Sequence, residues 1–239
     1  MEKTFIALPS SPAFADFIAQ CWKAHTASPE NTRDALHAYL ASRALVGDLI
    51  ELSALACHID AEHLGDWESG EGYYVRLHST FPSLPASVQG RLMRQRAILH
   101  KARDVTLKLE AFQPDDAFYI TALALPAATL RVSAQAGGAL LSQLKDRVEV
   151  AGSAIDRRRL LAVVTANLMC DIVQRYELPH DMRCLLLEIA ELDQALWSRI
   201  GEPSDIARSA YRLALARVRY DEPSGNGSGR YPRFLNIEA

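Results

Sequence analysis

The chain has 239 residues, a formal net charge of −3 at pH 7, 49% hydrophobic residues and 23% charged residues. This composition is typical of a folded globular protein and excludes a largely disordered one. The weakly acidic total also excludes a protein that is basic throughout, so contact with nucleic acid would have to depend on local basic patches.

The apolar segments predict a cytoplasmic protein without a membrane partner. No run of about 18 apolar residues is present, which is the length a transmembrane helix requires. The apolar segment before Pro9 is shorter than the central region of a signal peptide. The cysteines are widely spaced and form no C-x-x-C pair, which favours reduced thiols over a disulfide framework or a zinc site.

The first block, residues 1–68, is predicted to be helical after an opening strand at residues 3–8. Pro12 and Pro29 suit the first turns of two helices, because proline is tolerated there. Apolar residues then recur mostly at steps of three and four, which indicates one buried helical face. These residues are Leu36, Leu40, Leu45, Leu49, Leu52, Ala56 and Ile59.

The middle block, residues 69–152, is predicted to mix strands with helices. Apolar and polar residues alternate in three segments, which favours half-buried strands at residues 72–78, 104–112 and 129–134. Residues 117–125 fit either a helix or a strand, and the neighbouring strands favour a strand. Residues 87–101 are predicted to form a basic helix, and residues 136–147 a short helix before a strand at 148–150.

The third block, residues 153–222, is predicted to be a C-terminal helical bundle. Its helices run from Ser153 to Tyr176, from Asp181 to Gly201 and from Pro203 to Tyr220, each with a capping or stop signal. Residues 223–239 are predicted to be a flexible Gly/Ser linker and a basic, apolar tail. The predicted fold class is therefore mostly α (α+β), with helical N- and C-terminal blocks around a small, largely antiparallel β-section.

The basic helix contains no carboxylate and is a candidate surface for nucleic-acid phosphates. Its cations are Arg91, Arg94, Arg96, Lys101 and Arg103. The preceding segment has the opposite charge, because seven carboxylates and no Lys or Arg lie between Arg43 and Arg76. Three hypotheses follow: the two segments neutralise each other inside the fold, the basic helix binds a polyanion, or it binds a protein partner.

Three further groups of arginines are candidates for phosphate contact. Arg157, Arg158 and Arg159 lie in the first turn of a predicted helix, where the helix dipole disfavours cations unless an anion compensates. The final helix carries a second group, Arg208, Arg212 and Arg219. Arg230 and Arg233 lie around Tyr231 in the tail, a mixture that can stack on bases or occupy an acidic groove.

The acidic segment is the best candidate for a metal site, but its pattern is incomplete. Asp60 and His63 have the i,i+3 spacing found in carboxylate-bridged centres, whereas no H-E-x-x-H motif and no second histidine on the same α-helical face are present. No metal and no other cofactor are therefore predicted.

The sequence contains no nucleotide-binding or nucleophile motif. The leading hypothesis is a non-catalytic helical subunit or adaptor of a larger assembly, which includes protein partners and RNA or DNA contacted through phosphates. One alternative is a metal-independent RNA-processing nuclease with an RNA-binding sheet, in which His100 or His78 acts as general base. Another is a regulatory protein-interaction module without nucleic acid, whose partner binds the acidic residues Asp48, Glu51, Glu62 and Glu68.

Overall fold

The structure, a computed structural model, describes residues 12–149, 154–175 and 177–221. These residues form ten α-helices and no strand. Two helices continue into π-helical segments, Ile59–Leu64 after α3 and Ala128–Val132 after α6. The α-helices are α1 Pro12–Ala24, α2 Pro29–Ser42, α3 Leu49–His58, α4 Trp67–Thr80, α5 Ala86–Arg103, α6 Pro114–Ala127, α7 Ala134–Val148, α8 Ala154–Val173, α9 His180–Ile200 and α10 Pro203–Tyr220.

The predicted central β-section is wrong, because the described residues contain no strand and three of its five predicted segments are largely helical. Of the last predicted strand, residues 148–150, Val148 ends α7 and Glu149 follows it in a turn. Residues 72–78 lie in α4, whose first turn is capped by Asp66, and residues 117–125 lie in α6. Residues 129–134 lie mostly in the π-helical segment after α6. In α4 the buried side chains are Tyr73, Tyr74 and Leu77, which is helical spacing, while Val75 is 63% exposed.

Residues 104–112 are neither helix nor strand, although their side chains alternate in exposure as predicted. The Asp104 carboxylate accepts hydrogen bonds from the amide and hydroxyl of Thr106, at 2.9 and 2.6 Å, which forms a local turn. Lys101 is only 3% exposed, and its Nζ donates to the carbonyls of Val105 at 2.7 Å and Leu107 at 2.9 Å. A side chain therefore satisfies the carbonyls that a neighbouring strand would otherwise bind.

The helices predicted in the first and last blocks are present, as are the basic helix and α7. The single buried face predicted from Leu36 to Ile59 is wrong at its centre, because α2 ends at Ser42, α3 begins at Leu49, and Leu45 between them is 47% exposed. α5, the basic helix, runs through two apolar clusters. Its first half packs Val88 and Leu92 against helices α1–α4, and its second half packs Leu99 and Ala102 against the later helices. None of the helices in the described ranges is both long enough and apolar enough to cross a bilayer.

Several predicted features lie outside the described residues: the opening strand at residues 3–8, the cap at Ser153, the helix end at Tyr176, Val150 of the last strand, the linker and the tail with Arg230, Tyr231 and Arg233.

We expect Lys101→Ala to lower the free energy of unfolding by about 2 kcal/mol, because two carbonyls lose a buried charged donor. Lys108→Ala is the matched control, since the side chain of Lys108 is 83% exposed and its Nζ lies 3.7 Å from Glu110. That control should change stability by less than about 0.5 kcal/mol. Urea unfolding measures both, and equal effects would contradict the structural role of Lys101.

Candidate functional site

Part of the basic helix α5 is neutralised by the acidic segment, through Glu71 of α4. Arg96 donates to both oxygens of Glu71, from Nε to Oε1 at 3.3 Å and from Nη2 to Oε2 at 2.6 Å. His100 Nε2 lies 2.9 Å from Oε1 of the same carboxylate. Bidentate pairing of this kind is the strongest geometry an arginine makes with a carboxylate. Glu71 also raises the pKa of Arg96 by accepting its hydrogen bonds.

Two more cations of α5 have internal partners. Arg94 pairs with Asp116 of α6 at 2.5 Å, and its guanidinium lies 5.2 Å from the centre of the Tyr119 ring. Lys101 is the buried residue that binds the carbonyls of the following turn. Arg91 and Arg103 are exposed and form no ion pair within the described residues. The helix therefore offers a polyanion fewer free cations than its sequence implies.

The arginines at the start of α8 are compensated by acidic side chains. Arg157 pairs with Asp115 at 2.5 Å and lies over the Phe118 ring. Arg158 pairs with Glu149 at 2.5 Å, and Arg199 of α9 binds the same carboxylate. The hydrogen bond from Arg158 lowers the pKa of Glu149. Arg159 is exposed. These carboxylates supply the negative charge that a phosphate was proposed to supply.

The arginines of α10 differ in their surroundings. Arg212 donates to the fully buried Asp193 of α9, at 2.9 Å from Nε. Asp193 also accepts hydrogen bonds from Trp197 at 3.0 Å and Thr165 at 3.3 Å. Burial raises the pKa of Asp193, and Arg212 opposes that shift. Arg219 is buried and donates to the Arg175 carbonyl. Arg208 is exposed and lies 3.9 Å from Asp205.

The acidic residues predicted to bind a protein partner do not share one exposed surface. Asp48 is fully buried, and its carboxylate accepts a hydrogen bond from the Leu45 amide at 2.9 Å. Glu51 and Glu68 are exposed, whereas Glu62 is half-buried beside His58.

The histidines proposed for a nuclease lie on separate helices, His78 exposed on α4 and His100 paired with Glu71 on α5. No described contact joins the two, so the general-base role has no geometric support from a neighbouring group.

The structure brings together three histidines that sequence reasoning did not combine. His25 follows α1, His58 ends α3, and His63 lies in the π-helical segment Ile59–Leu64. Residues five apart lie about 140° apart around an α-helix of about 3.6 residues per turn. A π-helix instead bonds residues five apart, which brings His58 and His63 to the same side. Gly65 ends this segment with a φ of 64°.

The three histidines each offer a ligand atom within 4.8 Å of the others, so they could hold a metal ion. His58 Nε2 and His63 Nε2 are 3.0 Å apart, and His58 Nδ1 lies 3.0 Å from Glu62 Oε2. His25 Nδ1 lies 2.5 Å from the Trp22 carbonyl oxygen. All three side chains are half-buried. The cluster is therefore open to solvent on one side.

Electrostatics keep two of these imidazoles neutral near pH 7. Burial, with a smaller effect of neighbouring His58, lowers the pKa of His63 to about 4, while Glu62 opposes the shift. Burial also lowers the pKa of His25, against its hydrogen bond to Trp22. Burial raises the pKa of Asp171 on α8 to about 6. The nearby Glu62 charge also raises this pKa, and His58 lowers it. Neutral imidazole is the form that binds metals.

No protein-family model matches this chain, and comparisons with curated proteins and with solved structures returned no significant match.

We expect Arg212→Ala to lower the free energy of unfolding by about 3 kcal/mol, because it leaves the Asp193 charge buried without its ion partner. Arg208→Ala on the same helix should change stability by less than about 0.5 kcal/mol, since the Arg208 side chain is 56% exposed. Thermal or urea unfolding of the two variants distinguishes a structural arginine from a surface one. Equal stabilities would contradict the assignment.

Proposed function

We propose that this chain is a non-catalytic helical subunit of a larger cytoplasmic assembly and that it binds a partner helix through the outer face of α10. The observation that supports this proposal is an exposed apolar stripe on that helix. The opposite face of α10, which includes Ser209, Leu213 and Ala216, is buried. An amphipathic surface helix needs only that buried face for its own fold, so a second apolar face suggests an interaction surface.

The stripe consists of Ala207, Tyr211, Ala214 and Val218, all exposed. Their spacing of four, three and four residues is that of the a and d positions of a coiled coil. Tyr211 is 46% exposed and Val218 is 56% exposed, while the alanines between them allow a close approach by another helix. A tyrosine among small residues is also typical of an interface centre, where aromatic side chains provide much of the binding energy.

The charges beside the stripe favour an acidic partner over a second copy of this chain. Arg208 and Arg217 occupy the flanking positions of the heptad, and no Asp or Glu lies between residues 207 and 218. A second copy would bring the same arginine-bordered surface against itself, which like-charge repulsion disfavours. An amphipathic helix with Glu or Asp at its flanking positions would pair with both arginines.

Nucleic acid remains part of the proposed assembly, with a smaller contribution from this chain than the sequence suggests. Among the predicted phosphate contacts, Arg91, Arg103 and Arg159 are exposed and without an ion pair in the described part of the chain. These positions would contact phosphates without reading bases.

We expect the double variant Tyr211→Glu, Val218→Glu to lose partner binding, because it places two charges in the apolar stripe and repels acidic flanks. A photo-crosslinking amino acid at position 211, used in the native host with nuclease treatment, identifies the partner segment. Binding of that segment as a synthetic peptide to purified protein should fall at least tenfold in the double variant and weaken with added salt.

The matched control is Val75→Glu, since Val75 is 63% exposed on α4 and lies outside the stripe. Equal melting temperatures for all three proteins would show that folding is preserved. Wild-type affinity in the double variant, or crosslinks only to a second copy of this chain, would contradict the proposal. Crosslinks that disappear on nuclease treatment would indicate a nucleic-acid surface instead.

A further inference from the structure

We propose that His25, His58 and His63 form a binding site for one divalent first-row transition-metal ion, with the ligand number and spacing of a zinc site. This site is independent of the α10 surface and uses residues from the other end of the chain. The proposal depends on the geometry of the ligand atoms, on the groups that orient them and on the local backbone.

The spacing of the ligand atoms is close to that of a tetrahedral zinc site. Zinc binds imidazole nitrogen at about 2.0–2.1 Å, so two nitrogens of a tetrahedral site lie about 3.3 Å apart. The Nε2 atoms of His58 and His63 are 3.0 Å apart, and all three ligand atoms lie within 4.8 Å of one another. Small ring rotations would therefore place three nitrogens around one ion.

Two of the three ring pairs meet edge to face, while His25 and His58 are tilted by 56° with ring centres 5.1 Å apart. His58 and His63 are inclined by 82°, and His25 and His63 by 85°, with ring centres 4.7 and 4.9 Å apart. Apolar packing alone does not require three nitrogens to converge in this way.

Two of the three rings are held by the partners that metal-binding histidines usually have. A ligating imidazole typically donates its other N–H to a carboxylate or a backbone carbonyl, which fixes the ring and its tautomer. His58 Nδ1 makes this contact with the Glu62 carboxylate at 3.0 Å, and His25 Nδ1 makes it with the Trp22 carbonyl at 2.5 Å. In both rings Nε2 is then left with its lone pair available for an ion.

The backbone that presents His63 is unusual and is fixed from outside the helix. π-Helical turns are rare and frequently occur at functional sites. Arg131, from the second π-helical segment, donates from Nε to the Glu62 carbonyl at 2.6 Å and from Nη2 to the His63 carbonyl. These bonds hold His63 beside His58 before any ion arrives, which lowers the cost of ordering the site on binding.

The ligand chemistry selects the class of ion. Imidazole nitrogen suits Zn²⁺, Cu²⁺, Ni²⁺ and Co²⁺, whereas Mg²⁺ and Ca²⁺ prefer oxygen ligands. Three protein ligands leave a fourth position for an exchangeable water on the solvent side, which is the ligand number of zinc sites that keep an open position.

The proposal is tested by titrating Zn²⁺ into the full chain after chelator treatment and desalting, with heat measured by calorimetry. We expect one ion per chain with a dissociation constant in the micromolar range or tighter. We expect His58→Ala and His63→Ala each to weaken binding at least 100-fold. Zn²⁺ at about a hundredfold above the dissociation constant should raise the melting temperature of the wild type by about 5 °C. Co²⁺ should give the visible absorption of a four-coordinate site.

Two control variants make the result specific. His78→Ala removes an exposed histidine on α4 and should bind Zn²⁺ like the wild type. His180→Ala disrupts another histidine contact, in which Cys184 Sγ lies 3.5 Å from His180 Nε2. Circular dichroism of the metal-free variants checks that each is folded. Failure of the wild type to bind Zn²⁺, wild-type affinity in His63→Ala, or loss of binding in His180→Ala alone would each overturn the proposal.

Glu62 should act as a positioning residue that orients His58. We expect Glu62→Ala to weaken Zn²⁺ binding by about 10- to 100-fold while leaving the melting temperature of the metal-free protein nearly unchanged. Glu62→Gln should recover part of the affinity, because its amide oxygen still accepts the Nδ1–H bond. Glu68→Ala, an exposed carboxylate a few residues away, is the control. Equal affinities in Glu62→Ala and Glu68→Ala would contradict this role.

Discussion

The link that Arg131 makes between the two π-helical segments fixes the backbone that carries the histidine cluster against the later helices. A helix end leaves carbonyls without intrahelical partners, and the turn at Gly65 exposes those of Glu62 and His63. Arg131 binds both carbonyls, although it follows Glu62 and His63 in the chain by 69 and 68 residues. Partial desolvation lowers the pKa of this arginine, although the residue is exposed, and both of its hydrogen bonds are made at the surface of the molecule. The contact joins the first helices to the later bundle.

Ion pairs between helices reduce the number of free cations that the surface presents to a partner. Basic patches that are clear in the sequence are used largely between helices, as when Glu71 holds Arg96 and His100, or Glu149 holds Arg158 and Arg199. Partly exposed pairs of this kind contribute little stability individually. Their larger consequence is functional, because a cation that already has a bidentate carboxylate releases less free energy on binding a phosphate. Charge counted along a chain therefore overstates the charge available to a partner.

The sequence could predict the helices that have one buried face and clear end signals, such as α2, α9 and α10. It could not predict α6, because that helix is buried on almost every side and its apolar residues show no period. In α4 the alternation from Tyr73 to His78 resembles a strand, since the exposed Val75 is itself apolar. The histidine site was missed for a related reason. A search at α-helical spacing places His58 and His63 on different sides, and only the π-helical turn aligns them. His25 comes from a different helix, and nothing in the local pattern links it to them.

An ion at the three histidines would do more than occupy a surface cleft, because its ligands come from two separate parts of the chain. His25 follows α1, which is anchored in the first apolar cluster through Phe14, Ile18 and Cys21. Coordination would tie His25 to His58 in the folded chain, and the binding free energy would stabilise that state because the unfolded chain has no preformed site. The added stability would be greatest for α1 and least for α10. The latter helix lies at the other end of the sequence and packs against α9. Metal binding and partner binding therefore have separate structural bases, and the loss of one would leave the other intact.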